Sequence, residues 1–445
     1  MEVCDGARLV QVSTQVTRRG GRLDLDLRDR YALASYPPPA TPMLRTDTLA
    51  RLASLSNPRV VASGNFATPH ALLAAVDAAL PAYRLHLLNA QPGLPDREGV
   101  RYETCFVGPG MRRHPRLDYL PCRLSLVPVL FGSSCPPDVV VVQTSAPRNG
   151  RVSLGIEVNI LPAAIEAVKR RGGLLLAQMN ANMPYTVGDG EFDLDLFDEA
   201  ICLDSPLACA TAPALTDEAE AVAGHIAAEV SDGATLQLGI GAIPNALLRQ
   251  LERRQGLGIW TEMFSDGVLG LDRAGALDRD RPIVASFVFG SAELYDWMGR
   301  CERLQLLRSE RVNDPSRIAQ QPGMVSVNAA LQVDLLDQAN ASRVGGRIYS
   351  GFGGATDFVV GALHASNGRS FTALTSWHAA SDRSCIVPLL TEGVTSFQHS
   401  FVATERGLAR CFGAGATEQA ANLIAVADPR ARDGLLTAAA AMGLV

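Results

Sequence analysis

The sequence has almost no lysine and no closely paired cysteines. Lys169 is its one lysine, so any long cation that contacts a phosphate must be an arginine. Its nine cysteines are scattered along the chain, and none forms a C-x-x-C pair. The odd number of cysteines, and a start at residues 1–10 that lacks the pattern of a signal peptide, predict a cytoplasmic protein in a reducing compartment.

Other absences exclude further classes of function. No apolar run reaches the ~18 residues that a membrane-spanning helix needs, so no membrane partner is expected. The seven histidines show no H-x-x-x-H spacing and predict no metal site, and the G-x-S-x-G motif of α/β-hydrolases is missing. A net charge of -6 argues against a nucleic-acid partner, which would need a basic face.

What the chain does contain is a pattern, G-x4-P-x-A-L-L, that occurs once in each half. An apolar run typical of a strand precedes it both times, and a helical pattern follows. Because this strand–turn–helix unit opens a doubly wound sheet, we interpret the pattern as a structural repeat and not as a chance match. The two copies begin at Gly64 and Gly239, with their prolines at Pro69 and Pro244.

The length of 445 residues is sufficient for two domains. The fold class predicted is α/β, with two similar open α/β domains at residues 41–212 and 213–445, after an N-terminal lead-in of residues 1–40. The boundary is placed in the stretch 202–215, which is rich in small residues and proline.

Local patterns predict several individual elements. Leu161–Arg171 and Asp217–Val230 are expected to be helices, the second capped by Thr216. Ile283–Phe289 is expected to be one strand, and residues 108–121 are expected to be an irregular loop.

The most informative stretch runs from residue 234 to residue 266. The strand Thr235–Leu238 is expected to lead into a glycine turn and then into a helix that has Pro244 at its first position. Free N–H groups at such a helix start attract anions. The spacing departs from both the dinucleotide fingerprint and the Walker A loop, so an ordinary strand–helix turn remains the alternative.

Glu262 is the candidate nucleophile or base. It lies among Trp260, Met263 and Phe264 in the sequence, and this apolar setting is expected to remove hydration and raise the pKa of its carboxyl group. A solvated carboxylate at the end of a strand is the alternative. Asp266 is the competing carboxylate, but Asp266-Gly267 is typical of a turn, so we expect it to have a structural role.

Nine segments, in this order, make the sequence similar to the acetyl-CoA hydrolase/transferase family, which includes 4-hydroxybutyrate and butyrate:acetate CoA-transferases. The similarity extends from about Ala62 to Leu436. The segments are SGNFATP (63–69), DVVVVQTSAPRNGRVSLGIEVN (138–159), MPYTVGDG (183–190), LQLGIGAIPNALL (236–248), EMFSDG (262–267), SFVFGSAELYDW (286–297), VNDP (312–315), VNAALQVDL (327–335) and GGATDF (353–358).

This resemblance implies two domains of the CoA-transferase (NagB/RpiA-like) type and a homodimer. It implies that Glu262 attacks an acyl-CoA to form an acyl-glutamyl anhydride, and that CoA then forms a glutamyl-CoA thioester. Coenzyme A and acyl-CoA would be substrates, beside a short carboxylic acid, with no permanently bound cofactor.

The resemblance also implies where CoA binds. The implied contacts are Gly239, Ile240, Gly241, Ala242 and Ile243 on one side of CoA, and Gly353 and Gly354 on the other. Backbone N–H groups of these turns are candidates for stabilising an oxyanion. Asn65 or its neighbours, in the turn of the first domain, are further candidates that would contribute from across the domain interface.

The sequence departs from the family pattern at four places, namely Ala355, Arg406, Arg383 and the pair Trp260-Thr261. Because these changes affect positions expected near the acyl group, the chemistry is better determined than the substrate. Three interpretations remain: a CoA-transferase, an acyl-CoA hydrolase that uses the same site, and a CoA-binding protein with little activity.

Overall fold

The structure is a computed structural model that describes residues 42–210, 214–394 and 399–444. The lead-in of residues 1–40 lies outside these ranges. Two large β-sheets dominate the described residues, and each contains one copy of the repeated pattern. No described helix has both the length and the apolar character needed to cross a membrane.

The first sheet has seven strands, all parallel within the described residues. Val139–Ser145 and Leu174–Asn180 are buried along their whole length, as expected for strands covered on both faces. From edge to edge the strands are Glu199–Cys202, Leu174–Asn180, Val139–Ser145, Arg59–Ala62, Tyr83–His86, Val100–Thr104 and Leu117–Tyr119.

The second sheet has nine strands in the described residues. They are parallel except at one edge, where Phe401–Thr404 and Gly407–Arg410 form an antiparallel hairpin. From edge to edge the strands are Gly407–Arg410, Phe401–Thr404, Arg369–Ala373, Val325–Ala329, Thr235–Leu238, Gly258–Trp260, Ile283–Ala285, Leu304–Leu306 and Val187–Gly188.

Both sheets are wound in the same way around a central strand. Arg59–Ala62 pairs with a later neighbour on each side, and so does Thr235–Leu238. In sheets of this kind ligands bind outside the carboxyl ends of the strands, at the point where the strand order reverses. Gly64 and Gly239 follow these two central strands, so each half has its own reversal point at the repeated pattern.

Helices connect the strands and cover the sheets. The predicted cap is present, because Thr216 Oγ1 accepts a hydrogen bond from the N–H of Ala219. The α-helices are Thr46–Ala53, His70–Ala79, Val127–Gly132, Leu161–Arg170, Asp217–Ala228, Ala242–Gln250, Asp266–Ala274, Ala292–Met298, Ser309–Val312, Pro315–Ile318, Ala355–His364, Ala416–Ala425 and Pro429–Ala441.

Short strands form five small sheets beside the two large ones. Arg151–Ser153 pairs with Glu191–Asp193, Met263–Phe264 with Phe287–Val288, Gln332–Asp334 with Ala339–Asn340 and Ile386–Val387, Arg343–Val344 with Arg347–Ile348, and Trp377–His378 with Arg383–Ser384.

Three local predictions were wrong. The expected single strand Ile283–Phe289 is two strands in different sheets, because the chain changes partners at Ser286. The expected loop 108–121 contains the edge strand Leu117–Tyr119. Pro244 is the third helical residue and not the first, because Gly241, with φ 129°, turns the chain into the helix two residues earlier. A proline is tolerated there since the first N–H groups of a helix have no internal partner.

The two halves are packed together. Val187–Gly188, from the first half, completes the edge of the second sheet. The largest hydrophobic cluster joins Val140 and Val142 of the first sheet to Leu236 and Leu238 of the second. The predicted domain boundary in the stretch 202–215 remains a prediction, and residues 211–213 lie outside the described ranges.

Candidate active site

Glu262 lies just beyond the carboxyl end of the strand Gly258–Trp260. That strand neighbours Thr235–Leu238 in the second sheet. The Thr261 hydroxyl is hydrogen bonded to the backbone of Leu238, 3.3 Å from its nitrogen and 3.2 Å from its oxygen. Glu262 is therefore fixed beside the strand that ends at the glycine turn.

The backbone and the carboxylate of Glu262 are held by different partners. Its carbonyl oxygen accepts hydrogen bonds from the N–H groups of Ser286, at 2.9 Å, and Phe287, at 3.2 Å. Its Oε2 atom accepts one from Asn313 Nδ2, at 2.6 Å. Asn313 is fully buried, and its Oδ1 atom has no hydrogen-bond partner in the part of the chain that the structure describes.

Gly354 lies directly against this carboxylate. A Cβ atom built on Gly354 would be 2.0 Å from Glu262 Oε2 and 2.1 Å from Asn313 Nδ2. The preceding residue, Gly353, has φ 56°. A Cβ atom built on Gly353 would be 3.3 Å from the Phe106 ring. The absence of side chains at both glycines allows this loop to fit between Glu262 and the first half.

The loop that contains the two glycines is anchored to the first half of the chain. Val107 N donates to Ser350 O at 2.8 Å, and Leu124 N donates to Gly353 O at 3.1 Å. Glu262 therefore lies where the two halves meet.

Burial raises the pKa of Glu262 to about 7. The residue keeps part of its surface exposed, but protein atoms replace most of the water around the carboxyl group. The hydrogen bond from Asn313 lowers the pKa, and the negative charge of Asp357 raises it. The sequence-based expectation of a raised pKa through lost hydration is confirmed.

The apolar neighbours named from the sequence have separate positions. Met263 and Phe264 are buried in the largest hydrophobic cluster. Trp260 packs against a smaller cluster, and its Nε1 atom donates to Val312 O at 2.9 Å. Trp260 is one of the departures from the family pattern. Since Val312 precedes Asn313, the Trp260 side chain supports the segment that binds the Glu262 carboxylate.

The turn Gly239–Ile243 is half-buried and lies next to open space. Nothing lies within 4 Å of where a Cβ on Gly239 would be. Gly241, with φ 129°, has a conformation that favours glycine. Ala242 and Ile243 form the first residues of the helix Ala242–Gln250, whose first N–H groups lack partners within the helix. No described contact joins this turn to the Glu262 carboxylate.

Asp266 has a structural role, although it begins the helix Asp266–Ala274 and does not lie in the expected turn. Its carboxylate accepts hydrogen bonds from the backbone N–H of Ser291, at 3.1 Å, and from the Ser291 hydroxyl. These bonds connect the starts of the helices Asp266–Ala274 and Ala292–Met298.

Sequence reasoning missed three buried side chains, Asn313, Asp357 and Glu157. Each lies inside a segment that carries the family resemblance, which was the available signal. Asp357 has a raised pKa because it is buried, and it lies 3.4 Å from Arg123 Nη1. Burial also raises the pKa of Glu157 to about 7.

Two further departures from the family pattern have definite places. Arg406 Nη2 donates to Asp428 Oδ2 at 2.9 Å, and Arg406 Nε donates to Ser376 Oγ at 3.1 Å. Arg383 is exposed in a short strand, and Ala355 is the first residue of the helix that follows Gly354. Across the three described ranges, no group of three His, Cys, Asp or Glu side chains is placed to hold a metal ion.

Two similarly wound α/β halves meet at a desolvated carboxylate, which is held against a glycine loop. The family model for the acetyl-CoA hydrolase/transferase C-terminal domain matches residues 290–439. The 4-hydroxybutyrate coenzyme A transferase of Clostridium kluyveri is 34% identical over 371 residues, which is 79% of this chain and 86% of that protein. The chain belongs to the acetyl-CoA hydrolase/transferase family.

Further comparisons agree with this assignment. An acetyl-CoA hydrolase of Neurospora crassa is 32% identical over 229 residues, 47% of this chain and 42% of that protein. RipA from Yersinia pestis has a similar structure, with a TM-score of 0.82 and 26% identity over 89% of this chain and 97% of that one. The 4-hydroxybutyrate CoA-transferase of Porphyromonas gingivalis gives a TM-score of 0.74 and 29% identity over 89% of this chain and 96% of that one. The predicted family and fold class are confirmed.

Proposed function

We propose that this enzyme transfers CoA between an acyl-CoA and a free carboxylic acid, with Glu262 as the nucleophile. The observation that carries the proposal is the Glu262 carboxylate, deprived of water and held by Asn313 beside Gly354. A carboxylate is a weak nucleophile in water, and desolvation makes its anion more reactive. The 4-hydroxybutyrate CoA-transferases among the relatives support the same assignment.

The reaction proceeds through two covalent states on Glu262. A carboxylate oxygen attacks the thioester carbonyl, the carbon–sulfur bond breaks, and CoA leaves as the thiolate with an acyl-glutamyl anhydride behind it. The thiolate then attacks the glutamyl carbonyl, which releases the first acid and leaves a glutamyl-CoA thioester. A second carboxylate attacks this thioester, and the two steps run in reverse to release the new acyl-CoA.

The surroundings of Glu262 suit this sequence of steps. Asn313 Nδ2 binds Oε2, which leaves Oε1 as the attacking atom. The helix Ala355–His364 begins directly after Gly354, so its unpaired N–H groups start beside the carboxylate. We propose these N–H groups, and those of the turn Gly239–Ile243, as donors to the oxyanions that form. The same turn and the loop Gly353–Gly354 are the proposed contacts of CoA.

Acyl-CoA hydrolysis at the same site is the second candidate, and the acetyl-CoA hydrolases among the relatives favour it. Water would attack the anhydride or the enzyme thioester in place of a carboxylic acid. Which reaction dominates depends on how well the closed site excludes water.

Trapping the covalent state tests the proposal. The protein is incubated with an acyl-CoA, reduced with borohydride, and digested for mapping of the peptide that contains Glu262. A reduced Glu262 is expected for both transfer and hydrolysis, whereas an unmodified peptide together with tight CoA binding identifies a binding protein with little activity. Acetate, propionate, butyrate and 4-hydroxybutyrate, added in turn, then separate transfer from hydrolysis.

The rate should rise with pH through about 7. Only the ionised carboxylate can attack, and burial raises the pKa of Glu262 to about 7, so kcat/KM for the acyl-CoA should increase tenfold per pH unit below this value and level off above it. The measurement is a pH profile of kcat/KM between pH 5 and 9, in which this ratio reports on the free enzyme.

Two variants assign that pH dependence to Glu262. Asn313→Ala removes the donor that stabilises the anion and should move the rising limb to higher pH. Asp357→Asn removes a nearby negative charge and should move it to lower pH. Neither side chain acts on the pKa of Glu157, the other buried carboxyl group with a pKa near 7. If the rising part of the kcat/KM profile stays at the same pH in both variants, Glu262 is not the titrating group.

A further inference from the structure

Glu157 is a buried carboxylate that has no part in the proposed chemistry. It lies in the first half, a few residues after the short strand Arg151–Ser153, and is 1% exposed. Asn65 Nδ2 donates to its Oε2 atom, and Asn159 Nδ2 donates to its Oε1 atom at 2.8 Å. The backbone N–H of Gly64, at the reversal point of the first sheet, lowers the pKa of the same carboxyl group. Both carboxylate oxygens therefore act as acceptors.

The partners of Glu157 have unusual backbone conformations. Asn65, Asn89 and Asn159 all have positive φ, at 49°, 45° and 20°. Asn89 Nδ2 donates to Asn65 Oδ1 at 3.0 Å, so the side chains form one hydrogen-bonded cluster around Glu157. Asparagine adopts positive φ more readily than most residues other than glycine, so it suits these three backbone positions.

The segment that contains Glu157 contacts the stretch Ser286–Phe287, which holds the Glu262 backbone. The N–H groups of Val158 and Asn159 each donate to Ser286 O at 3.0 Å. The N–H groups of Ser286 and Phe287 donate in turn to Glu262 O, at 2.9 and 3.2 Å. Ser286, which lies between the strands Ile283–Ala285 and Phe287–Val288, therefore links the Glu157 segment to the candidate nucleophile.

The same segment also contacts the helix that positions the amide bound to Glu262. Ser309 N donates to Asn159 O at 2.9 Å, and Asn313 N donates to Ser309 O at 2.8 Å. Asn313 Nδ2 then donates to the Glu262 carboxylate at 2.6 Å. The Glu157 segment therefore touches both supports of Glu262, one for its backbone and one for its carboxylate.

We infer that Glu157 is a positioning residue for Glu262. It orders the asparagine cluster at the first reversal point and, through Asn159, fixes both supports of the nucleophile. This inference rests on the proposed function, because it concerns the rate at which Glu262 is acylated. It requires two acceptor oxygens at position 157, since Asn65 donates to one oxygen of that side chain and Asn159 to the other.

Glu157→Gln is the direct test. The amide places a donor where an acceptor is needed, so either Asn65 or Asn159 loses its hydrogen bond and the segment shifts. A displacement of about 1 Å at the reacting atoms lowers kcat by about 100-fold. We expect a fall of that order in kcat and in the rate of borohydride-trapped labelling of Glu262, while the affinity for CoA stays within about twofold of the wild type because the proposed CoA turns lie elsewhere.

A second substitution that exchanges donor and acceptor should restore activity. When Glu157→Gln is combined with Asn65→Asp, the introduced amide can donate to the introduced carboxylate, which still accepts the hydrogen bond from Asn89. Asn159 then donates to the oxygen of the introduced amide. We expect the double variant to regain most of the lost kcat. Glu293→Gln, at a carboxylate that pairs with Arg273 on the surface, is the matched control and should react at the wild-type rate.

Each other outcome has a defined meaning. Labelling of Glu262 at the wild-type rate in Glu157→Gln would overturn the inference. So would a parallel loss of activity, CoA binding and thermal midpoint that the double variant does not repair, because that describes a side chain needed only for folding. A wild-type protein that is never labelled at Glu262 would instead refute the proposed function.

Discussion

Glu262→Gln should lower kcat for CoA transfer by at least about 10⁴-fold, the scale of loss when a covalent nucleophile is removed. The amide cannot form an anhydride, so neither covalent state is reached. The fold should be retained, because the oxygen of the introduced amide can still accept the hydrogen bond from Asn313. The measurements are steady-state CoA transfer and borohydride labelling, beside circular dichroism to confirm the fold.

Glu262→Gln should also change how the stability of the protein depends on pH. Burial raises the pKa of the Glu262 carboxyl group to about 7, above its ordinary value of 4.5, so folding favours the protonated form. The stability that this form contributes is fully present below pH 4.5 and is lost as the pH rises through 7. Glutamine does not ionise, so the thermal midpoint of the variant, relative to the wild type, should increase between about pH 4.5 and pH 7 and then level off.

Two controls limit the interpretation of Glu262→Gln. Glu293→Gln removes an exposed carboxylate and should leave turnover unchanged. Glu262→Asp keeps a carboxylate but withdraws it from Asn313, and it should retain a small measurable rate. Turnover near the wild-type level in Glu262→Gln would end the proposal, whatever the controls show.

The sequence was informative at the two glycine turns and at the candidate carboxylate, where the signal is local. Glycine and proline mark the turn at Gly239 and its earlier copy at Gly64, and the apolar runs before them became the central strands of two sheets. The position of Glu262 in an apolar stretch correctly indicated a desolvated carboxyl group, because three apolar neighbours within two residues restrict its access to water.

The sequence could not reveal contacts that depend on distant strands and loops. Asn313 and Gly354 reach Glu262 from parts of the chain 51 and more residues away, and local periodicity says nothing about such approaches. The change of sheet at Ser286 was missed for a related reason. The apolar run Ile283–Phe289 is continuous, whereas the partners that divide it come from other parts of the fold.

Gly354→Ala should be strongly damaging although it removes none of the proposed reacting groups. Its backbone, with φ -104° and ψ 1°, is open to alanine, so the cost is steric. The new methyl group would be 2.0 Å from Glu262 Oε2 and 2.1 Å from Asn313 Nδ2, both of which must move. A displaced nucleophile should lower kcat/KM by about 10²-fold or more, and overpacking should cost about 1–3 kcal/mol of stability.

Gly434→Ala is the matched control for this substitution. Gly434 lies in the helix Pro429–Ala441, and nothing is within 4 Å of the position that its Cβ would take. Alanine there should raise stability by about 0.5–1 kcal/mol and leave turnover unchanged, because it adds a methyl group in open space within a helix. If Gly354→Ala also had wild-type kcat/KM, Glu262 could not be using the position in which the structure holds it. If Gly354→Ala is folded but inactive, and Gly434→Ala keeps its activity, the rate depends on free space beside the Glu262 carboxylate.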